Sequence, residues 1–200
     1  MRLPGIPSIE NKHTYWYVCF MTKAHRRKKE PETVRLKLIE SAKRLALEKG
    51  LGAVNLETVA SEAGVTRGGL FHHFSNKKIL VDAVFRHLLQ EFERDLITRM
   101  SVDPEPYGRF TRAYIELVFE NGAETHYGPL WMATLSVPEL RTAWGEWLNV
   151  LLARYQEGAL LLENARFAAD GIWLGQMFGV VPENTHAFMQ HLIDMTRYPK

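Results

Sequence analysis

The chain has 200 residues, 46% of them hydrophobic, with 25 Lys plus Arg against 23 Asp plus Glu and a single cysteine, Cys19. That length and composition suffice for a buried core and exclude a disordered chain, and one cysteine excludes both an internal disulfide framework and a cysteine-based zinc cage, which fits a reducing, cytoplasmic setting. The net charge of +2 hides an asymmetry: residues 21–100 hold 16 basic against 10 acidic side chains and residues 101–200 hold 7 against 12, so the two parts stand at +6 and −5. Such a split predicts that the first part meets a polyanion and the second does not.

Residues 1–22 show no helical period and read as a poorly ordered extension. An aromatic cluster, Tyr15, Trp16 and Tyr17, lies N-terminal to the basic run, the reverse of a secretory signal. The abrupt change at Met21 suggests it as the natural start, with an aromatic partner-binding arm as the alternative. No apolar run approaches the roughly 20 residues that a membrane-spanning helix needs. From Pro31 the pattern turns helical, with Val34, Leu38, Ala42, Leu45 and Ala46 forming an inward stripe and Gly50 closing the helix.

Asn55 then caps a short helix whose apolar face is Leu56, Val59, Ala60 and Ala63, and Thr66 caps a second after the turn at Gly64 and Val65. Two short helices joined by a tight glycine turn form a helix-turn-helix pattern. In the second, Leu70 and Phe74 share one face and point inward, so Gly68 and His72 point outward, flanked by Gly69 and Phe71, with Arg67 at the start.

Three chemistries compete for this stretch. Adjacent histidines, His72 and His73, point about 100° apart and no carboxylate or cysteine lies at i+3 or i+4, which argues against a metal. The glycine patterns of phosphate-binding loops are absent. A helix entering the DNA major groove explains both glycines, which permit close approach. An ordinary structural turn of helices is the bland reading, and the basic run and the charge split weigh against it.

After Phe74, Ser75 or Asn76 restarts a helix with Ile79, Leu80, Ala83, Val84 and Leu88 on its apolar face, through about Met100. The segment at 101–108 is a boundary. Beyond it, helices are predicted over 106–121, 129–135, 138–157, 163–179 and 184–197, with no alternating strand pattern. The chain is therefore all-α: a helix-turn-helix domain at 23–78, a connecting helix at 79–100, and a helical domain at 101–200.

Residues 38–84, "LIESAKRLALEKGLGAVNLETVASEAGVTRGGLFHHFSNKKILVDAV", resemble the N-terminal DNA-binding domain of the tetracycline-repressor (TetR) family of bacterial transcription regulators. The resemblance covers about a quarter of the chain, and "FAADGIWLGQMFG" is similar to segments of the family's C-terminal domains. It implies a three-helix DNA-binding domain followed by a ligand-binding and dimerisation domain. By that resemblance Thr66 caps the recognition helix and touches phosphate, Arg67 reaches base edges, Gly68 and Gly69 face the groove, and His72 and His73 contact phosphate or a base. Lys77 matches a phosphate-binding lysine and Asn55 the cap of the supporting helix. Phe71 stands where relatives commonly have tyrosine, which replaces a hydroxyl contact with an apolar one. The run Arg26, Arg27, Lys28 and Lys29 reads as an arm along the DNA backbone or minor groove, or as a solvated charge run.

In the second half, Tyr114, Phe119, Trp131, Trp144, Trp147, Trp173 and Phe178 serve as core or as the walls of an effector pocket. The family analogy places a homodimer interface at 163–197 and implies an operator DNA, a second copy of the chain and a small-molecule effector as partners, with no cofactor. Enzymatic alternatives, built on His126 with Glu124 or on Glu139 and Glu146, and a helix-turn-helix interaction module without DNA are the rival classes.

Overall fold

The computed structural model describes the backbone of residues 12–121 and 128–197, and the side chains of these from Pro31 onward except 129, 130 and 134. Nine α-helices follow one another among the described residues: α1 (Lys12–Lys49), α2 (Leu56–Glu62), α3 (Arg67–His73), α4 (Lys77–Val102), α5 (Arg109–Glu120), α6 (Gly128–Ser136), α7 (Pro138–Tyr155), α8 (Leu160–Gln176) and α9 (Thr185–Met195). No strand occurs among them.

The start of α1 corrects the expected boundary. The backbone is helical from Lys12, so residues 12–22 are not an irregular extension and Pro31 lies inside the helix rather than at its first turn. Residues 12–30 contain neither glycine nor proline, so no residue there breaks the helix, and the run Arg26–Lys29 consists of good helix formers, although no apolar period announces it. Proline in a helix interior costs about 3 kcal/mol, because it gives no N–H to the carbonyl one turn back. Residues 1–11 lie outside the described residues.

The predicted stripe of α1 is the first wall of the core: Leu38, Ala42, Leu45 and Ala46 are buried and Val34 half-buried. Val59, Ala60, Leu70 and Phe74 close this small core from α2 and α3. The long α4 then runs out of it, carrying Leu80, Ala83, Val84 and Leu88 and, further on, Phe92 and Leu96 into the larger domain. Ile79, expected on the inward face, is 45% exposed. The buried stripe of α4 begins with the next residue, Leu80, and Ile79 stands about 100° round the helix from it.

In the second domain α5 is the central helix. Phe110, Tyr114 and Ile115 are fully enclosed, and α5 packs against α4, α8 and α9. Its N-terminus is held by Glu157, whose carboxylate accepts from the Phe110 N–H at 2.9 Å, the Thr111 N–H at 2.8 Å and the Thr111 hydroxyl at 2.6 Å. Two orphan donors of a helix start are thereby satisfied by an anion, which the helix dipole also favours. Arg166 of α8 completes the buried patch by donating to the Thr111 hydroxyl and to the Glu157 carbonyl.

Candidate DNA interface and effector cavity

The helix-turn-helix forms through its caps. The Asn55 side chain accepts from the Thr58 N–H at 2.8 Å and opens α2, and the Thr66 hydroxyl accepts from the Gly69 N–H at 3.1 Å and opens α3. Asn76, not Ser75, caps α4 by accepting from the Ile79 N–H at 3.0 Å. Between α2 and α3 the backbone turns at Gly64 with φ +65, a left-handed conformation that favours glycine, and the Val65 N–H returns to the Ala60 carbonyl at 2.9 Å. Leu70 and Phe74 anchor α3 inward, which leaves Arg67, Gly68, Phe71 and His72 exposed on the other face.

The two glycines of that face differ. A Cβ at Gly68 would meet nothing within 4 Å, so internal packing gives no reason for a glycine there. A Cβ at Gly69 would meet Val65 Cγ1 at 3.0 Å and Thr66 Oγ1 at 3.2 Å, so this half-buried glycine makes room for the cap that starts its own helix. Only Gly68 is left for an external surface to explain.

The charged groups are placed with partners. The Arg67 guanidinium lies 3.2 Å from the Glu57 carboxylate and 5.6 Å from the centroid of the Phe71 ring. Both sides of that ion pair are more than two-thirds exposed, so it is weak and easily exchanged for another anion. Lys77 donates to the carbonyls of Leu51 at 2.9 Å and Gly52 at 3.3 Å, tying α4 to the turn after α1. Its ammonium thus has a structural task that its sequence position did not disclose. His73 is half-buried beside His72, and burial, then the neighbouring His72 and Arg35, hold its pKa below the usual histidine value. Arg26, Arg27, Lys28 and Lys29 belong to α1, and their side chains lie outside the described residues.

The second domain holds a cavity of about 310 Å³ between α5, α6, α7 and α8. Tyr114, Trp131, Trp144 and Trp173 line it, as expected from the sequence. The other three aromatic candidates do not. Trp147 packs on Phe92 and donates to Glu93, Phe119 is half-buried against the core outside the cavity, and Phe178 is 72% exposed beyond the end of α8. Helical spacing could not separate them, because aromatic residues occupy core, wall and surface positions with the same periodicity. Sequence reasoning missed the polar members of the wall, Asn121, Arg141 and Asp170. Asp170 accepts from the Tyr114 hydroxyl at 2.7 Å, and burial raises the pKa of both groups. The only signal in the sequence was an acidic residue three positions before Trp173.

Phe92 of α4 connects the two regions. Its ring makes edge contacts with Tyr114, Trp131, Trp144 and Trp147, at centroid distances of 6.2, 5.8, 6.1 and 5.7 Å. Glu93 beside it takes the Trp147 indole N–H and the Arg154 guanidinium, while Lys78 pairs with Glu139 at the start of α7. Thus the helix that leaves the helix-turn-helix core also supports the wall of the cavity.

This is the architecture of a two-domain helical regulator, with a helix-turn-helix head and a helical body enclosing a cavity. The family model described as "Bacterial regulatory proteins, tetR family" matches residues 38–84, and that described as "Tetracyclin repressor-like, C-terminal domain" matches residues 108–197. The chain belongs to the TetR family. Among curated relatives, the HTH-type transcriptional regulator TtgR of Pseudomonas putida is 40% identical over 63 residues, 32% of this chain and 30% of the relative. The Tn10 TetC protein of Escherichia coli is 37% identical over 62 residues, 31% and 32% of the two chains. The chain therefore matches about a third of the length of these relatives.

Solved structures extend the likeness across both domains. The multidrug binding protein EbrR complexed with malachite green has a TM-score of 0.60 and 25% identity, covering 82% of this chain and 98% of that one. A transcriptional regulator of Streptomyces coelicolor A3(2) shares the fold at TM-score 0.64 and 17% identity, with 82% and 98% covered.

Proposed function

We propose that the chain is a cytoplasmic, homodimeric transcriptional regulator, not an enzyme, that represses by binding a near-palindromic operator and is released by a small-molecule effector. The observation that carries this reading is the exposed first turn of α3, where Thr66 caps the helix, Arg67 stands free to exchange its partner, and Gly68 leaves the surface open for no internal reason. A helix N-terminus in the major groove places such an arginine at guanine edges, with the backbone amides near phosphate. His72 and Phe71 flank the same face, and His73, held toward its neutral form, suits a hydrogen bond better than a charge contact. The basic balance of residues 21–100 supports the polyanion as partner.

The homodimer reading rests on an apolar surface at and after α8. Phe167, Phe178, Leu160 and Val180 are each about 70% exposed, an unusual concentration for a surface that faces water. Two heads on a twofold axis read the two halves of an operator.

The effector reading rests on the cavity, and the multidrug binding of EbrR supports it by likeness. A ligand held between α5, α6, α7 and α8 shifts the population of states by whatever preference it has for one position of α7, and Phe92 and Glu93 carry that position to α4 and the head. The test is a footprint on the DNA upstream of the chain's own gene across salt concentrations. An inverted-repeat footprint with steep salt dependence is expected. Arg67→Ala should reduce discrimination between operator and mismatched sites by about 1–3 kcal/mol, while Lys77→Ala weakens all sites alike. Equal losses on every sequence for both variants would remove Arg67 as a base reader, and no binding at low salt would remove the regulator reading.

A further inference from the structure

Beside the exposed face of α3 stands an acidic side chain that a polyanion should repel. Glu57 belongs to the first turn of α2, yet that helix is opened by the Asn55 side chain, and the Glu57 carboxylate lies against Arg67, 3.2 Å from Oε1 to Nη1. The second neighbour of Arg67 is the Phe71 ring, one turn on along α3, whose centroid lies 5.6 Å from the guanidinium carbon. An arginine plane stacks on such a ring and is attracted by its face. A guanidinium carries five N–H groups in a fixed plane, with an end-on edge at Nη1 and Nη2 and a side-on edge at Nε and Nη2. A carboxylate at Nη1 takes part of the first edge and leaves the second, whose two parallel N–H groups match guanine O6 and N7. Arg67 therefore need not give up Glu57 in order to read a base. A phosphate, by contrast, would stand against the Glu57 charge, so the carboxylate disfavours the sequence-blind contact that an arginine otherwise makes. Water screens the exposed pair in the free chain, and the exclusion of water at an interface strengthens it.

We infer that Glu57 and Phe71 are positioning residues for base reading: the carboxylate and the ring hold the Arg67 guanidinium so that its Nε–Nη2 edge is presented to a guanine and withheld from phosphate. The inference rests on the reading of α3 as the DNA-contacting helix and names the side chains that give Arg67 its specificity. Glu57 then lowers affinity for DNA in general while raising discrimination at one base pair. A charge that served only the dipole of α2, or only a surface ion pair, would not produce that opposition.

In the experiment the full chain selects binding sequences from a randomised duplex library, and fluorescence anisotropy then gives its affinity for the selected site with each base pair exchanged in turn. The parent chain is expected to prefer guanine by about 10-fold or more at one position of each half-site, and Arg67→Ala to lose that preference. Glu57→Gln keeps the size of the side chain and should reduce the same preference to about 3-fold or less. It should leave the other positions unchanged and bind random-sequence duplex at least as tightly as the parent. Phe71→Leu keeps an apolar side chain without a ring face and should lower the preference at the same position. Discrimination at the remaining positions serves as the check on folding, since an unfolded head would lose all of it. A Glu57→Gln or Phe71→Leu chain that keeps the full guanine preference, or that loses discrimination at every position alike, would overturn the inference, as would a guanine preference that survives Arg67→Ala. Failure of the parent chain to enrich any sequence would instead remove the regulator reading itself.

Discussion

The sharpest consequence of the structure concerns two adjacent glycines that the sequence could not tell apart. Alanine exceeds glycine by about 0.8–1.0 kcal/mol inside a helix, and somewhat less in the first turn, where both residues lie. At Gly68 the added methyl enters open space, so Gly68→Ala should stabilise the fold by about 0.5–1 kcal/mol. For a chain of this size that is a rise in Tm of roughly 1–4 °C. At Gly69 the methyl meets Val65 at 3.0 Å and the Thr66 hydroxyl at 3.2 Å, and displacing the cap costs about 1 kcal/mol. Gly69→Ala should therefore be neutral or destabilising by up to about 1 kcal/mol. Operator affinity is expected to run the other way for Gly68: a methyl on the face nearest the groove should weaken binding by about 1.4 kcal/mol, a factor of ten. Calorimetric melting of the three proteins and fluorescence-anisotropy titration of operator duplex read the two effects independently. A Gly68→Ala chain that melts higher and binds operator as well as the parent would refute the argument that this glycine clears the DNA-facing surface.

Other outcomes follow from the buried network, the histidine and the apolar surface. Glu157→Ala removes three hydrogen bonds at the start of α5 and leaves Arg166 without the nearby carboxylate, so urea unfolding should show a loss of about 3–5 kcal/mol; a loss below about 1 kcal/mol would mean that water replaces the carboxylate. His73 has a folded pKa below its unfolded value of 6.5, so between these values the unfolded chain binds more protons. Its contribution is present above pH 6.5 and is lost as the pH falls toward the folded value. Melting temperature should fall on acidification through this window, and less steeply in His73→Asn; identical slopes would exclude His73 as a contributor. Phe167→Glu, placed on the exposed face of α8, should leave the fold intact and shift the species in sedimentation velocity from dimer to monomer, whereas an unchanged dimer would move the interface elsewhere.

The sequence was most legible where function is local along the chain. Asn55, Gly64 and Thr66 cap and turn helices by bonds that span only a few residues, so their spacing alone defined α2, α3 and the outward face of Gly68 and His72. Two local expectations were corrected. Residues 12–22 are helical because a segment without glycine or proline can continue a helix without amphipathic period, and Ile79 is exposed because the buried stripe of α4 runs through Leu80, about 100° round the helix from it.

By itself, then, the sequence determined the all-helical character, the helix-turn-helix and the separation of a basic head from an acidic body, because caps, apolar periodicity and charge are properties of short stretches or of totals. Only the tertiary structure decided which aromatic residues form the cavity, that Phe92 joins it to α4, that Lys77 ties two elements together, and that Gly69 serves its own helix while Gly68 does not. It also brought Asp170 to the wall against Tyr114, a residue on another helix. Each of these is a distance between residues far apart in the chain or between a side chain and empty space. Such distances are fixed when helices pack, and no spacing along one helix contains them.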